Sequence, residues 1–123
     1  MESRIAISVS ENRITVALSG EFDPLAVKET VAELLRHPDY RANMDALYDL
    51  RGLYLGAIST EQLQTLSFEI FDPSWDGTKF AMVTDDDDVY GLSRVYTAVA
   101  SESGDQQRAV FRSIEAAVAW LDS

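Results

Sequence analysis

Phe80-Ala81-Met82-Val83 runs into Thr84-Asp85-Asp86-Asp87-Asp88, after which Val89, Leu92, Tyr96 and Val99 recur at i, i+3, i+7 and i+10. A short, continuously apolar run suits a strand covered on both faces, and the spacing that follows is one face of a helix. A buried strand feeding a helix through a polar turn is the unit from which α/β sheets are built. Downstream, residues 101–106 read as a polar loop and 107–112, Gln-Arg-Ala-Val-Phe-Arg, as a further strand. Ser113 then caps a last helix with Ile114, Ala117, Val118 and Leu121 on one face.

Upstream the pattern repeats. Residues 44–50, Met-Asp-Ala-Leu-Tyr-Asp-Leu, predict a strand, and a helix follows from Thr60 to about Phe71 with Leu63, Leu66 and Ile70 on one stripe. Residues 4–9 and 13–19 alternate apolar with small or polar side chains around the short Ser10-Glu11-Asn12, which predicts a β-hairpin. Asp23-Pro24 starts a helix whose Val27, Val31, Leu34 and Leu35 share a face, and His37-Pro38 stops it. The expectation is a single α/β domain over residues 1–123. It has a mixed five-stranded sheet, an N-terminal hairpin plus parallel strands, and four helices in the order ββαβαβαβα.

Composition narrows the function classes. The chain has 123 residues, 10 Lys plus Arg against 21 Asp plus Glu, and a net charge of −11. That charge repels nucleic acid and anionic membrane surfaces. There is no Cys and one His, His37, so thiol chemistry and a His-rich zinc site are excluded within one chain. No G-x-x-x-x-G-K loop is present for a nucleotide. The N-terminus, Met1-Glu2-Ser3-Arg4, lacks the apolar run of a signal peptide, and no stretch approaches the ~20 apolar residues of a membrane span. The expected location is the cytoplasm.

Tyr48-Asp49-Leu50-Arg51-Gly52-Leu53 followed by Ser59-Thr60 resembles the strand–loop–helix signature of STAS domains. Residues Arg108 to Leu121, ending Ala119-Trp120-Leu121, resemble the closing strand and helix of the bacterial SpoIIAA-like family, and Tyr90 to Tyr96 resemble its third helix. The resemblance implies a fold shared with STAS and CRAL-TRIO lipid-binding domains and a role in binding a small apolar ligand. It also implies a phosphoacceptor serine at the start of a helix. Here that turn reads Gly56-Ala57-Ile58-Ser59-Thr60, with Ala57 and Ile58 in place of the family's Asp and first Ser, and only Ser59 stands near the acceptor position.

Four constellations are candidates. Leu53-Tyr54-Leu55-Gly56-Ala57-Ile58 is an apolar connector where a polar one is usual. With Phe68, Phe71 and Trp75 it is core, a dimer contact or the wall of a ligand pocket. The Asp85–Asp88 run lies at the carboxyl end of a strand, the ligand edge of such sheets, and is either a cation site or a solvated turn whose last Asp caps a helix. Ser59-Thr60-Glu61 is a modification site or a plain N-cap. Tyr90 and Arg94, at i and i+4, could orient a polar head group or form a surface pair.

No nucleophile–base pair is present, so the expectation is a non-enzymatic binding or regulatory domain with no catalytic residue, no metal and no cofactor. Its partner is a small apolar or amphipathic molecule, or a protein, held through residues 53–75. Leu53, Tyr54, Leu55, Ile58, Phe68, Phe71 and Trp75 form the wall, Tyr90 and Arg94 the polar anchor, and the protein is expected to be a homodimer. Two alternatives stay open. One is a Mg²⁺-dependent phosphoryl-transfer enzyme using Asp49 and Asp85–Asp88. The other is a STAS-type partner protein switched by phosphorylation at Ser59.

Overall fold

The computed structural model describes residues 1–59, 61, 62, 73–100 and 106–123. Strands β1 (Glu2–Ser8) and β2 (Arg13–Glu21) pair antiparallel, with Ile5 opposite Val16 and Ile7 opposite Ile14. The turn closes at Asn12, which takes a left-handed φ of 54° that its short amide side chain tolerates. Its Nδ2 donates to the Asn43 carbonyl at 3.0 Å, tying the hairpin to the start of the next strand. Helix α1 (Pro24–Leu35) starts as the sequence predicts: Asp23 Oδ1 accepts the Leu25 N–H and Pro24 occupies the first turn.

Strand β3 (Asp45–Tyr54) lies parallel between β2 and β4 (Lys79–Val83), preceded by a 3-10 turn at Pro73–Trp75. Helix α2 (Asp87–Ala100), β5 (Gln107–Phe111) and helix α3 (Ile114–Leu121) complete the described elements. The sheet is five-stranded and mixed, as expected, with the antiparallel pair confined to the opening hairpin; its spatial order, which the sequence reading did not specify, is β1-β2-β3-β4-β5.

Three expectations change. The described residues contain three α-helices rather than four; the helix expected from Thr60 to Phe71 lies outside them, apart from Glu61 and Gln62, which are helical. Strand β3 does not end at Leu50 but continues to Tyr54, so Leu53 and Tyr54 are strand residues instead of connector. The physical reason is a register shift. Ala17 pairs with Asp49, but Ser19 pairs with Gly52, so β3 carries one extra residue and then keeps pairing. Gly52 makes this possible, since a Cβ there would stand 3.0 Å from the Ser19 Cβ. Finally, the aspartate that caps α2 is Asp86 rather than Asp88: its Oδ1 accepts the Val89 N–H at 3.0 Å.

Strand alternation divides the core between two faces of the sheet. Ile14, Val16 and Leu18 of β2, Tyr48 and Leu50 of β3, and Met82 of β4 face α1 and α2, joined by Leu34 and Val89 from those helices. Leu47, Ala81 and Val83 face the other way and pack against Ala117 and Leu121 of α3. This explains the unbroken apolar run in β4, since both of its faces are covered.

Candidate functional site

A partly enclosed cavity of about 100 Å³ lies between the sheet and helices α1 and α2. Its floor is Ile14 and Leu18 of β2, Ala46, Tyr48 and Leu50 of β3, and Phe80 and Met82 of β4. Helix α1 contributes Val27, Val31 and Leu34, and α2 contributes Val89, Leu92, Ser93 and Tyr96. The local cause of the space is visible in the register. Ala46 pairs with Ile14 on one side and Phe80 on the other, so a single methyl sits between two large side chains pointing the same way.

Of the residues expected to form the apolar wall, Leu53, Leu55, Ile58 and Trp75 line this cavity. Tyr54 does not; alternation along β3 turns it outward, 54% exposed. Phe68 and Phe71 lie outside the described residues. Tyr90 and Arg94 are not part of the lining. The Tyr90 ring instead stacks under the Arg112 guanidinium at 3.9 Å, Arg112 also pairs with Asp87 at 2.7 Å, and Arg94 is exposed.

The polar groups at the cavity are Ser93, Tyr96 and Gln106, together with Tyr48, none of them singled out by the sequence reading. Gln106 is buried; its Nε2 donates to Thr78 Oγ1 at 3.0 Å and its Oε1 accepts from Arg108 Nε at 2.9 Å. Arg108 pairs in register with Phe80 and so faces the same side of the sheet. Its guanidinium lies 4.8 Å from the Tyr96 ring centroid and 5.8 Å from that of Phe80. Burial pulls the Arg108 pKa down, opposed by the Tyr96 hydroxyl, and burial pushes Tyr96 itself up. Burial likewise raises Tyr48, which keeps that phenol neutral at ordinary pH. The signal that could have found Arg108 is parity. In β5 (Gln107–Phe111) the positions on that side of the sheet are 108 and 110, and one of them is a cation.

Three of the candidate carboxylates, Asp49, Asp86 and Asp87, are engaged in local structure. Asp49 Oδ1 accepts both the Arg51 N–H at 3.1 Å and Arg51 Nε at 2.9 Å, and Oδ2 accepts Nη2 at 2.8 Å. The carboxylate thus caps a backbone donor at the β3 register shift, and its hydrogen bonds to Arg51 hold its pKa below the usual value. Asp86 caps α2 and Asp87 binds Arg112. Among the described residues, no three His, Asp or Glu side chains gather in a way that could hold a metal ion. Ser59 Oγ accepts the Gln62 N–H at 3.1 Å while Gln62 Oε1 accepts the Ser59 N–H at 2.8 Å, a reciprocal capping box on an exposed serine. His37, at the end of α1, accepts the Asp39 N–H at Nδ1.

No family model matches this chain, and no curated protein does. Among solved structures it is similar to an uncharacterised protein of the DUF3478 family with a SpoIIAA-like fold from Shewanella loihica PV-4. The TM-score is 0.58 at 16% identity, over 97% of this chain and 93% of that one. The fold is therefore SpoIIAA-like, as the resemblance in the sequence implied. No helix among the described residues is long and apolar enough to cross a membrane.

Proposed function

We propose that this protein is a non-catalytic binding domain that takes a small, largely apolar molecule into the cavity between the sheet and helices α1 and α2. The observation that carries the reading is a cavity of about 100 Å³ walled almost wholly by apolar side chains. Apolar cavities of this order stay dry and admit a ligand the size of one aromatic ring. Binding there replaces missing dispersion contacts along the walls, which is a driving force without any reaction. The proposal places the ligand deeper than the 53–58 stretch alone, with Leu53, Leu55, Ile58 and Trp75 forming one end of the wall.

Methionine methyl groups report on it directly. Of the three methionines, Met44 and Met82 line the cavity. In a ¹³C-methyl spectrum of the full chain, toluene or benzyl alcohol is expected to shift the Met44 and Met82 resonances saturably. If both stay fixed as the probe is raised to its solubility limit, the cavity does not take a ligand and the proposal is wrong.

A further inference from the structure

We infer that the cavity takes an uncharged molecule carrying an oxygen acceptor, such as a phenol, a small alcohol or a ketone, with the Tyr48 and Ser93 hydroxyls as its polar contacts. This rests on the binding role proposed above and names the class of ligand. Among the described residues, no Asp, Glu, Lys, Arg or His lines the cavity. An ion drawn into it would lose its water without meeting a counter-charge, so the ligand is neutral.

The polar groups at the cavity divide into committed and free. Gln106 is bonded at both ends of its amide, to Thr78 and to Arg108, and the Tyr96 hydroxyl is engaged by the Arg108 side chain. Tyr48 and Ser93 are only 8% and 7% exposed, and neither hydroxyl has a hydrogen-bond partner among the described residues. Ser93 leaves a local option unused. Thr30 and Thr97, also in helices, turn their hydroxyls back onto the carbonyls of Ala26 and Arg94. Buried polar groups nearly always find a partner, so two unpaired hydroxyls on one cavity call for a cause.

Neither oxygen is sealed in. The buried side-chain atoms that are both sealed and unpartnered are Arg13 Nε and Arg108 Nη1, whereas the Tyr48 and Ser93 oxygens stay accessible, and the space their side chains front is the cavity. Water suits that space poorly. A buried water makes about three hydrogen bonds, and here it would find two free hydroxyls in a wall that is otherwise almost wholly apolar. An organic molecule with one oxygen matches the wall better, its body covering the apolar side chains while its oxygen meets a hydroxyl. Burial keeps the Tyr48 phenol protonated, so it donates, and the ligand atom that it meets is an acceptor.

The test titrates the full chain with phenol and with toluene, which share a ring and differ by a hydroxyl for a methyl, and follows the Met44 and Met82 methyl resonances. In a wholly apolar hole phenol binds about tenfold more weakly than toluene, because its hydroxyl leaves water unpaired. Here phenol is expected to bind at least as tightly as toluene. In the double variant Y48F/S93A the affinity for phenol relative to toluene is expected to fall about tenfold, the scale of one or two net hydrogen bonds. With no ligand present, the urea midpoint of Y48F is expected to equal or exceed that of the wild type, since the hydroxyl it removes has no partner to lose. A preference of about tenfold for toluene in the wild type, a relative affinity that is unchanged in the double variant, or a lowered midpoint in Y48F each overturns the inference. Saturable toluene binding alongside any of these leaves the apolar cavity standing as a binding site. Failure of both probes to bind removes the site and its polar contacts together.

Discussion

The two faces of the sheet are built from the same alternating strands and end up packed in opposite ways. On the α3 face the buried cluster holds a small residue from each side, Ala81 of the sheet and Ala117 of the helix, both fully buried, together with Leu47, Val83 and Leu121. A helix of eight residues can seal its part of the sheet because its Ala positions let the backbones approach. On the other face the small residue, Ala46, belongs to the sheet alone. It sits between Ile14 and Phe80, and opposite it α1 and α2 present Val31, Leu34, Leu92 and Tyr96. A small side chain facing a small one closes a gap, whereas a small one set among large ones makes one. The two faces thus differ in where their alanines fall rather than in how apolar each face is.

The largest effect that tests the contrast is loss of a sealing residue. L121A is expected to lower unfolding free energy in urea by about 2–5 kcal/mol, because the tight α3 face has no slack with which to collapse around the hole. A cost below about 1 kcal/mol would show that this face is not sealed as described. Next comes the reciprocal experiment, adding volume. A117L is expected to cost about 1–3 kcal/mol by overpacking. A46L, placing the same side chain over the cavity, is expected to cost less than A117L or to stabilise, and to abolish the Met44 and Met82 shifts with toluene. Equal penalties for A117L and A46L in the same urea titration would mean that the two faces are packed alike.

Much of the architecture was legible because it follows local rules. The hairpin, the Asp23 and Ser113 caps and the covered central strand all follow from alternation, capping and run length within a few residues. What failed needed tertiary information. The continuation of β3 to Tyr54 depends on pairing with Ser19–Glu21 after a register shift, which nothing near Leu50 announces. Four consecutive aspartates look alike, and only the helix axis makes Asp86 the cap. The cavity is a deficit of volume, so no apolar pattern could mark it; it emerges when Ala46 is aligned with Ile14 and Phe80 across strands. Tyr90 and Arg94 lie off the inward stripe that Val89, Leu92 and Tyr96 define on the same helix. The polar member of that stripe, Ser93, is the one that lines the cavity.

The smallest effect concerns Asp49, the carboxylate that reads most like a catalytic or metal-binding residue at the end of a strand. Its hydrogen bonds to the Arg51 backbone and side chain lower its pKa in the folded protein, so folding favours the ionised form. The stabilisation is therefore fully present above the unfolded carboxyl value, about 3.9, and is lost as pH falls through the folded value. The pair is at the surface, with the Arg51 side chain half-exposed, which keeps the effect small. D49N retains an oxygen for the Arg51 N–H at the register shift and removes only the charge. The urea midpoint of the wild-type protein is expected to exceed that of D49N at pH 7, and the gap to close as the pH is taken below about 4. If the gap is the same at both ends of that range, charge at residue 49 contributes nothing to the fold. If the midpoint of D49N is higher at pH 7, the Asp49 charge is maintained against a cost in stability, and a functional role for it at that strand end would have to be reopened.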